Sequence, residues 1–244
     1  MTAHPKVTLV TCKSMPNLFK GEEGLLDELA ARGCDPQIKV WNDPDVDWSE
    51  AGMVVVRSVS DYASDRPAFL EWTKQLRRVQ NSADVLNWNT DKHYLKELAA
   101  LGMPTIPTNW LEPEQNLSKH QIHTRFPAFG EFVVKPAVSS GVRDIGRYTT
   151  VDTRQRQAAM RQVQGLLGEG RSVMIQRYVE EIDLHGEISL VFFNGLVSHA
   201  VEKRSALHPA SVSDPYVHEA VVTAEAADSV AWKWGEEIRR VLHG

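Results

Sequence analysis

The chain has 244 residues, an ordinary soluble-protein composition of 42% hydrophobic and 24% charged residues, and a formal net charge of −5 at pH 7. Its length allows one large domain or two small ones to bury a core without disulfides or a structural metal, and its two cysteines are too few for a disulfide scaffold. The charge removes the sequence-independent electrostatic argument for nucleic-acid binding, and no apolar run approaches the roughly 20 residues of a membrane-spanning helix. Since the N-terminus lacks the order of a signal peptide, we expect a cytoplasmic protein with neither a nucleic-acid nor a membrane partner.

The first part of the chain alternates short apolar strands with helices. Strands are predicted at 7–11, 38–41 and 53–56. The segment 21–32 carries leucines at helical spacing, and Ser64 or Asp65 can cap another helix that has Pro67 in its first turn. This alternation predicts an α/β unit with a mainly parallel sheet over residues 1–88.

The remainder, residues 89–244, is predicted to form a second unit with its own helices and strands. Thr90 is expected to cap a helix that Gly102 ends, and the prolines that follow leave no room for a long helix. Further elements are strands at 132–135 and 173–176, a helix at 154–167, a hairpin of 188–193 and 196–201, and a terminal helix at 224–242. The hairpin is the clearest of these, because Asn194-Gly195 supplies a tight turn between two apolar runs.

The first chemical signal is Lys135, which ends a predicted buried strand and precedes a small polar loop with Ser139, Ser140 and Gly141. A lysine at this position can reach into a cleft, and the loop can offer N–H groups and hydroxyls to phosphate oxygens. The alternative interpretation is a surface lysine before an ordinary turn. The residue order excludes a Walker A loop, and no G-x-G-x-x-G fingerprint follows a strand.

Three further segments could contact a ligand. Backbone groups at 176–179 could pair with an adenine edge, while Glu180, Asp183 or Glu187 could accept hydrogen bonds from ribose; a solvated acidic loop is the alternative. Lys203 and Arg204 close the hairpin, where they could hold phosphate or carboxylate or simply end a polar strand.

The third segment, Arg57, Asp61 and Tyr62, follows the strand at 53–56. Ligands of open α/β sheets bind at the carboxyl ends of strands, so these residues form a candidate substrate-binding edge. A structural Arg–Asp pair explains the same residues equally well.

Several motifs in this order resemble the ATP-grasp superfamily. They are 89–95 (Asn-Thr-Asp-Lys-His-Tyr-Leu), 102–108 (Gly-Met-Pro-Thr-Ile-Pro-Thr), 133–136 (Val-Val-Lys-Pro) with 139–141 (Ser-Ser-Gly), 176–179 (Gln-Arg-Tyr-Val) and 186–204 (Gly-Glu-Ile-Ser-Leu to Glu-Lys-Arg). The pattern is similar to glutathione-synthetase-like and RimK-like members, and to small ligases of the D-cycloserine-forming cyclo-ligase type. The set covers roughly residue 85 to the end, and residues 1–88 resemble the N-terminal pre-ATP-grasp domain.

The resemblance implies an α/β fold in which two α+β subdomains, 89–178 and 179–244, grip ATP. It implies a nucleotide site made of Lys92, Lys135, Ser139, Ser140, Gly141, Gln176, Arg177, Tyr178, Val179, Asp183 and Glu187. Among these, the lysines and the loop would meet the phosphates, 176–179 the adenine, and Glu187 or Asp183 the ribose. The implied catalytic residues are Lys135, Lys203 and Arg204, with Arg204 also facing the acyl substrate alongside Arg57, Asp61 and Tyr62.

The resemblance also implies Mg²⁺, yet the metal ligands are not identifiable. Members carry them on late acidic strands, whereas no acidic residue after Arg204 lies in an apolar strand context. We therefore expect the last subdomain to be incomplete, either because the chain is truncated relative to its parent or because the metal site is lost.

The implied activity is an ADP-forming carbon–nitrogen ligase. ATP would activate a carboxylate or a ureido carbonyl as an acyl-phosphate-like intermediate, which an amine-type nucleophile would attack. The expected partner is a small amino-acid-like substrate, and a homodimer is possible. The alternatives are a nucleotide-binding module without catalysis and an α/β protein whose motif matches are coincidental.

Overall fold

The computed structural model describes residues 4–22, 24–203, 207, 219–222 and 229–243. The chain divides into two compact units. Unit 1 comprises Met1–Tyr94 and Val138–Arg143, and unit 2 comprises Leu95–Ala137 and Asp144–Gly244. Within the ranges described, every helix is too short or too polar to cross a membrane.

Unit 1 is built on a parallel sheet. Its strands are β1 (Lys6–Thr11), β2 (Asp35–Val40), β3 (Met53–Ser58) and β4 (Val79–Gln80), in the order β2-β1-β3-β4. All neighbouring strands run parallel, which confirms the predicted sheet type. Because β1 lies between β2 and β3, the chain crosses from one side of β1 to the other, which in open α/β sheets is where ligands bind.

The helices of unit 1 are α1 (Gly24–Ala31), α2 (Arg66–Lys74) and α3 (Ala83–Asn89). Helix α2 begins as predicted, since Asp65 accepts a hydrogen bond from the backbone N–H of Ala68 at 3.1 Å. The prediction that Thr90 begins a helix is wrong, because Thr90 is the C-cap of α3 and its hydroxyl donates to the carbonyl of Leu86 at 2.6 Å. Such a hydroxyl can bond to a carbonyl four residues earlier as readily as it caps the next helix.

The core of unit 1 lies between the sheet and the helices and is rich in aromatic rings. Its buried members are Val10, Cys12, Trp41, Ala51, Val54, Val59, Phe69, Trp72 and Leu86. Gly52 admits the close approach of β3 to β1: it has φ +70°, and a Cβ there would lie 2.3 Å from the carbonyl oxygen of Lys6. Only glycine suits this position, because both the backbone conformation and the space exclude a side chain.

Unit 2 contains an antiparallel sheet covered by helices on one face. The sheet has the order β5-β8-β6-β7, with β5 (Thr108–Leu111), β6 (Glu131–Pro136), β7 (Gly146–Thr149) and β8 (Val173–Arg177). Helices α5 (Lys119–His123) and α6 (Thr153–Gly168) cover that face, and unit 2 also contains α4 (Tyr94–Ala100) and α7 (Glu181–His185). The core between this sheet and α5 and α6 includes Leu111, Ile122, Phe126, Phe132, Val134, Ala159, Val163, Leu166, Val173 and Ile175.

The predicted hairpin forms two of the three strands of a second sheet in unit 2. This sheet has the order β11-β10-β9, with β9 (Glu187–Phe193), β10 (Leu196–Lys203) and β11 (Glu219–Val222). Asn194 and Gly195 have φ of 51° and 75°, the two positive values that a tight hairpin turn requires, so the predicted turn is confirmed. Helix α8 (Ser229–His243) packs on β9, where Gly235 approaches the side chain of Leu190.

Candidate active site

The main sheet of unit 2 presents a polar face opposite its apolar core. Phe132, Val134 and Ile175 point into the core, and side chains alternate along a strand. Lys135 pairs with Met174 and Val133 with Gln176, so Lys135 and Gln176 project from the other face. Two residues that the sequence predicted to bind nucleotide therefore share one surface, which we call the polar face.

Lys135 is partly buried on the polar face. Burial lowers the pKa of its ammonium, and the nearby charge of Glu187 opposes this effect without cancelling it. Glu187 begins β9 and pairs with Lys203 at the end of β10. Directly opposed residues of antiparallel strands lie within side-chain reach, so Lys135, Glu187 and Lys203 form a mixed-charge group suited to an anionic ligand.

Gln176 is buried, and its side-chain amide donates to the hydroxyl of Thr108 at 2.7 Å. Its neighbour Arg177 projects to the opposite face, where the guanidinium lies 4.1 Å from the ring centroid of Phe129 and donates to the Phe129 carbonyl at 3.3 Å. The structure thus separates two residues that the sequence assigned together to the nucleotide site. Val179, two residues further on, is 39% exposed.

The segment after β8 is held by Arg147, which no sequence motif indicated. The guanidinium of Arg147 lies 3.7 Å from the ring centroid of Tyr178 and pairs with Glu131 and Asp183. The Tyr178 hydroxyl is hydrogen-bonded to Asp183, whose acidic segment forms helix α7 rather than a loop. Burial alone would lower the pKa of Arg147, but the hydrogen bonds with Glu131 and Asp183 outweigh it and the pKa is raised above its ordinary value. The guanidinium is therefore a permanent cation.

Unit 1 contains the loop that was predicted to hold phosphate. Lys92 donates from Nζ to the carbonyl oxygen of Ser139 at 3.1 Å and to its hydroxyl at 2.8 Å, and the Tyr62 hydroxyl donates to the same carbonyl at 3.0 Å. Burial raises the pKa of Tyr62, which keeps the phenol protonated and able to donate. Lys92, Tyr62 and Ser139 are thus brought together, and Ser140 and Gly141 follow directly in the chain, with Gly141 at φ +62°.

The other residues of the predicted substrate edge have partners within unit 1. Arg57 pairs with Glu22, 35 residues earlier, and keeps 42% of its side chain exposed. Asp61 accepts a hydrogen bond from the indole N–H of Trp41 at 2.7 Å, which is a structural contact. The structural Arg57–Asp61 pair, which was the alternative interpretation, is not formed.

Cys12 lies buried beside this edge, at the end of β1. Its sulfur is 3.2 Å from the hydroxyl of Ser14 and 3.7 Å from that of Ser60. Burial raises the pKa of the thiol, but the hydrogen bonds of these serines outweigh it and the pKa falls below its ordinary value. The sequence carried no signal for this group, because its partners come from two separate loops.

Arg204 lies outside the residues that the structure describes, as do Asp214, Glu225 and Asp228, three of the six acidic residues after it. Glu219 begins strand β11, so the prediction that no acidic residue after Arg204 lies in an apolar strand is wrong. Across the described part of the chain, no three His, Cys, Asp or Glu side chains come together as metal ligands. The described residues therefore supply no preassembled all-protein metal site.

Comparison with known proteins places this architecture in a family. The family model for the N-terminal domain of D-cycloserine synthetase DcsG matches residues 7–87. The cycloserine biosynthesis protein DcsG of Streptomyces lavendulae is 35% identical over 190 residues, which cover 76% of this chain and 62% of that protein. The chain thus aligns with less than two thirds of the length of this curated relative.

Solved structures extend the similarity over nearly the whole chain. The crystal structure of D-cycloserine synthetase DcsG has a TM-score of 0.79 and 30% identity, covering 97% of this chain and 81% of that one. D-alanyl-alanine synthetase A from Vibrio cholerae shares the fold with a TM-score of 0.64 at 14% identity, covering 99% of this chain and 81% of that one. A RimK-domain ATP-grasp protein from Sphaerobacter thermophilus also shares it, with a TM-score of 0.58 at 14% identity over 98% of this chain and all of that one. The chain belongs to the ATP-grasp superfamily, in the family that contains D-cycloserine synthetase DcsG.

Proposed function

We propose that this protein is an ATP-dependent, ADP-forming ligase. The observation that carries the proposal is Lys135, a partly desolvated cation on the same face as Gln176 and beside Glu187. Membership of the DcsG family supports it, since D-cycloserine synthetase is 30% identical over nearly the whole chain. A partly desolvated ammonium is stabilised by an anionic ligand, and a triphosphate supplies one.

The proposed reaction has two steps. A carboxylate or ureido carbonyl oxygen bonds to the γ-phosphorus of ATP while the bond to the bridging oxygen breaks, and ADP leaves. An amine nitrogen then attacks the activated carbonyl carbon, inorganic phosphate leaves with the bonding electrons, and the nitrogen loses a proton. Both steps place negative charge on phosphoryl oxygens, which fixed cations stabilise.

The residues of unit 2 would bind the nucleotide. Lys135 would contact the phosphates, and the backbone at 176–179 would meet the adenine edge. Glu187 would accept from ribose hydroxyls, and Lys203 with Arg204 would face the γ-phosphate or the acyl group. The arrangement of Lys135, Glu187 and Lys203 supports these roles.

The residues of unit 1 would supply the phosphate loop and the substrate edge. Lys92 and Ser139, with the adjoining Ser140 and Gly141, would offer N–H groups, hydroxyls and a cation to phosphate oxygens. Arg57 retains exposed surface and can meet a substrate carboxylate, whereas Asp61 would act by fixing Trp41.

The substrate we propose is amino-acid-like and carries both reacting groups. The name of D-cycloserine synthetase denotes a cyclic amino-acid product, which intramolecular attack of the amine on the activated carbonyl would form. Holding both groups in one bound molecule also removes the entropic cost of bringing two substrates together.

Calorimetric titration with ATP and Mg²⁺, followed by ADP release in the presence of ureido- and amino-substituted amino acids, tests the proposal. We expect saturable ATP binding and substrate-dependent ADP release. Binding without turnover by any such substrate would favour the non-catalytic nucleotide-binding module. A folded protein that binds no ATP would refute the ligase assignment.

A further inference from the structure

Arg147 occupies a position on the polar face that the proposed chemistry does not use. It pairs in register with Val133 on the neighbouring strand, so its side chain projects from the same face as Lys135 and Gln176. Only 18% of its side chain is exposed. A largely buried arginine here requires an explanation, because desolvating a guanidinium is costly unless its donors are satisfied.

The contacts of this guanidinium join the segment after β8 to strand β6 and to Leu207. Its Nε donates to the carboxylate of Glu131 at 3.0 Å, and Nη1 donates to Asp183 at 2.8 Å and to the Leu207 carbonyl at 3.3 Å. Its Cζ atom lies 3.7 Å from the ring centroid of Tyr178. One cation therefore joins strand β6, strand β7, helix α7 and the Tyr178 ring.

Tyr178 is held at three points. Its backbone N–H donates to the carbonyl of Glu131 at 2.9 Å, its ring lies against Arg147, and its hydroxyl bonds to Asp183. The backbone at 176–179 is the part proposed to meet the adenine edge. Hydrogen bonding to a base edge demands a fixed backbone, since a group that must be ordered on binding loses affinity.

We propose that Arg147 is a positioning residue for the nucleotide base, clamping Tyr178 and Asp183 so that the 176–179 backbone is preorganised for adenine. This inference rests on the proposed function. It also reassigns Asp183: its carboxylate serves the clamp, and ribose recognition belongs to Glu187.

Titration of Arg147→Lys with ATP, GTP and inorganic triphosphate, each with Mg²⁺, tests the role of Arg147. Lysine keeps the charge but loses the planar fork and the stacking. We expect ATP to bind at least tenfold more weakly and its preference over GTP to shrink. The affinity for triphosphate should stay within twofold of the parent's, because the lysines and the loop proposed to contact the phosphates are unchanged.

Arg171→Lys is the matched control. Arg171 also pairs with two carboxylates in unit 2, Asp144 at 2.9 Å and Glu169 at 3.2 Å. We expect its ATP and triphosphate affinities to stay within twofold of the parent, with thermal unfolding recorded for every variant.

The outcomes separate the hypotheses. A folded Arg147→Lys protein with unchanged ATP affinity, or with equal losses for ATP and triphosphate, would overturn the positioning role. If the parent itself binds no ATP, the proposed function fails, and the inference falls with it.

Two more variants test the reassignment of Asp183. Asp183→Asn should weaken ATP and 2′-deoxy-ATP by the same factor, because it loosens the clamp and touches no ribose hydroxyl. Glu187→Gln should weaken ATP more than 2′-deoxy-ATP. If instead Asp183→Asn weakened ATP more than 2′-deoxy-ATP and Glu187→Gln weakened both equally, Asp183 would be the residue that binds the ribose.

Discussion

Replacing Lys135 by methionine separates its functional role from its structural one. Methionine has a similar length and no charge, so the change removes the ammonium and leaves the volume. A charge-assisted hydrogen bond contributes about 1.5–3 kcal/mol, which corresponds to roughly 10- to 150-fold in Kd. We expect ATP affinity to fall within that range.

The same substitution should not destabilise the protein. Burial lowers the pKa of Lys135, which means that the folded state disfavours its charge. Replacing a buried charge by an apolar side chain is often neutral or stabilising, by about 1 kcal/mol or more. We therefore expect Lys135→Met to unfold at the parent Tm or a few degrees above it.

Calorimetry with ATP and thermal unfolding of the same samples give both quantities. Lys119→Met is the control, since this exposed lysine lies on α5, against the opposite face of the sheet. Unchanged ATP affinity in folded Lys135→Met would refute the assigned role. A Tm lowered together with the affinity would show that Lys135 supports the structure instead.

The lowered pKa of Lys135 also sets two opposite pH dependences. Between that pKa and the ordinary lysine value of 10.5, the unfolded state binds a proton that the folded state lacks, so the free energy of unfolding rises with pH. The destabilisation is complete below the lowered pKa and vanishes above 10.5. ATP affinity should instead fall as the pH rises, because phosphate requires the ammonium. Lys135→Met should lose both slopes, and their persistence would exclude Lys135 as their source.

Three further substitutions test individual contacts. Gly52→Ala should destabilise unit 1 by about 1–2 kcal/mol through its left-handed backbone and by more through a Cβ 2.3 Å from a carbonyl oxygen of β1. Gly102 has a similar φ but open space around it, so in urea unfolding Gly102→Ala should lose only the part of the unfolding free energy that comes from the backbone conformation. Tyr62→Phe removes a donor to Ser139 and should raise the KM for ATP severalfold with kcat unchanged; an unaltered KM would exclude an anchoring role. Asp65→Ala should cost about 1 kcal/mol of unfolding free energy through the lost cap of α2, and no loss would contradict that cap.

Features specified within a few consecutive residues were predictable from the sequence. The strand at 7–11, the start of α2 at Asp65 and the Asn194-Gly195 turn depend on hydrophobic alternation, a capping side chain and two positive φ angles. The same reasoning from local pattern misassigned Thr90. Its hydroxyl could either accept from the N–H groups of a following helix or donate to a carbonyl of the preceding one, and packing decided between the two.

Only part of the candidate site could be predicted from the sequence. Lys135 and Gln176 were recognisable from their place at strand ends, and the register of β6 with β8 put them on one face. The same alternation sent Arg177 to the other face, against Phe129. Sequence order listed Gln176 and Arg177 together, whereas a strand separates consecutive side chains.

The sequence by itself determined the α/β alternation, the motif order of the family and the residue types at the candidate ligand positions, because each depends on local pattern. Tertiary structure alone decided which charges meet. Arg147 takes its partners from 16 and 36 residues away, and Arg57 takes Glu22 from 35 residues away. No local pattern encodes such pairs, because an ion pair depends on distance in space, and only the packed strands bring these charges within a few ångströms of each other.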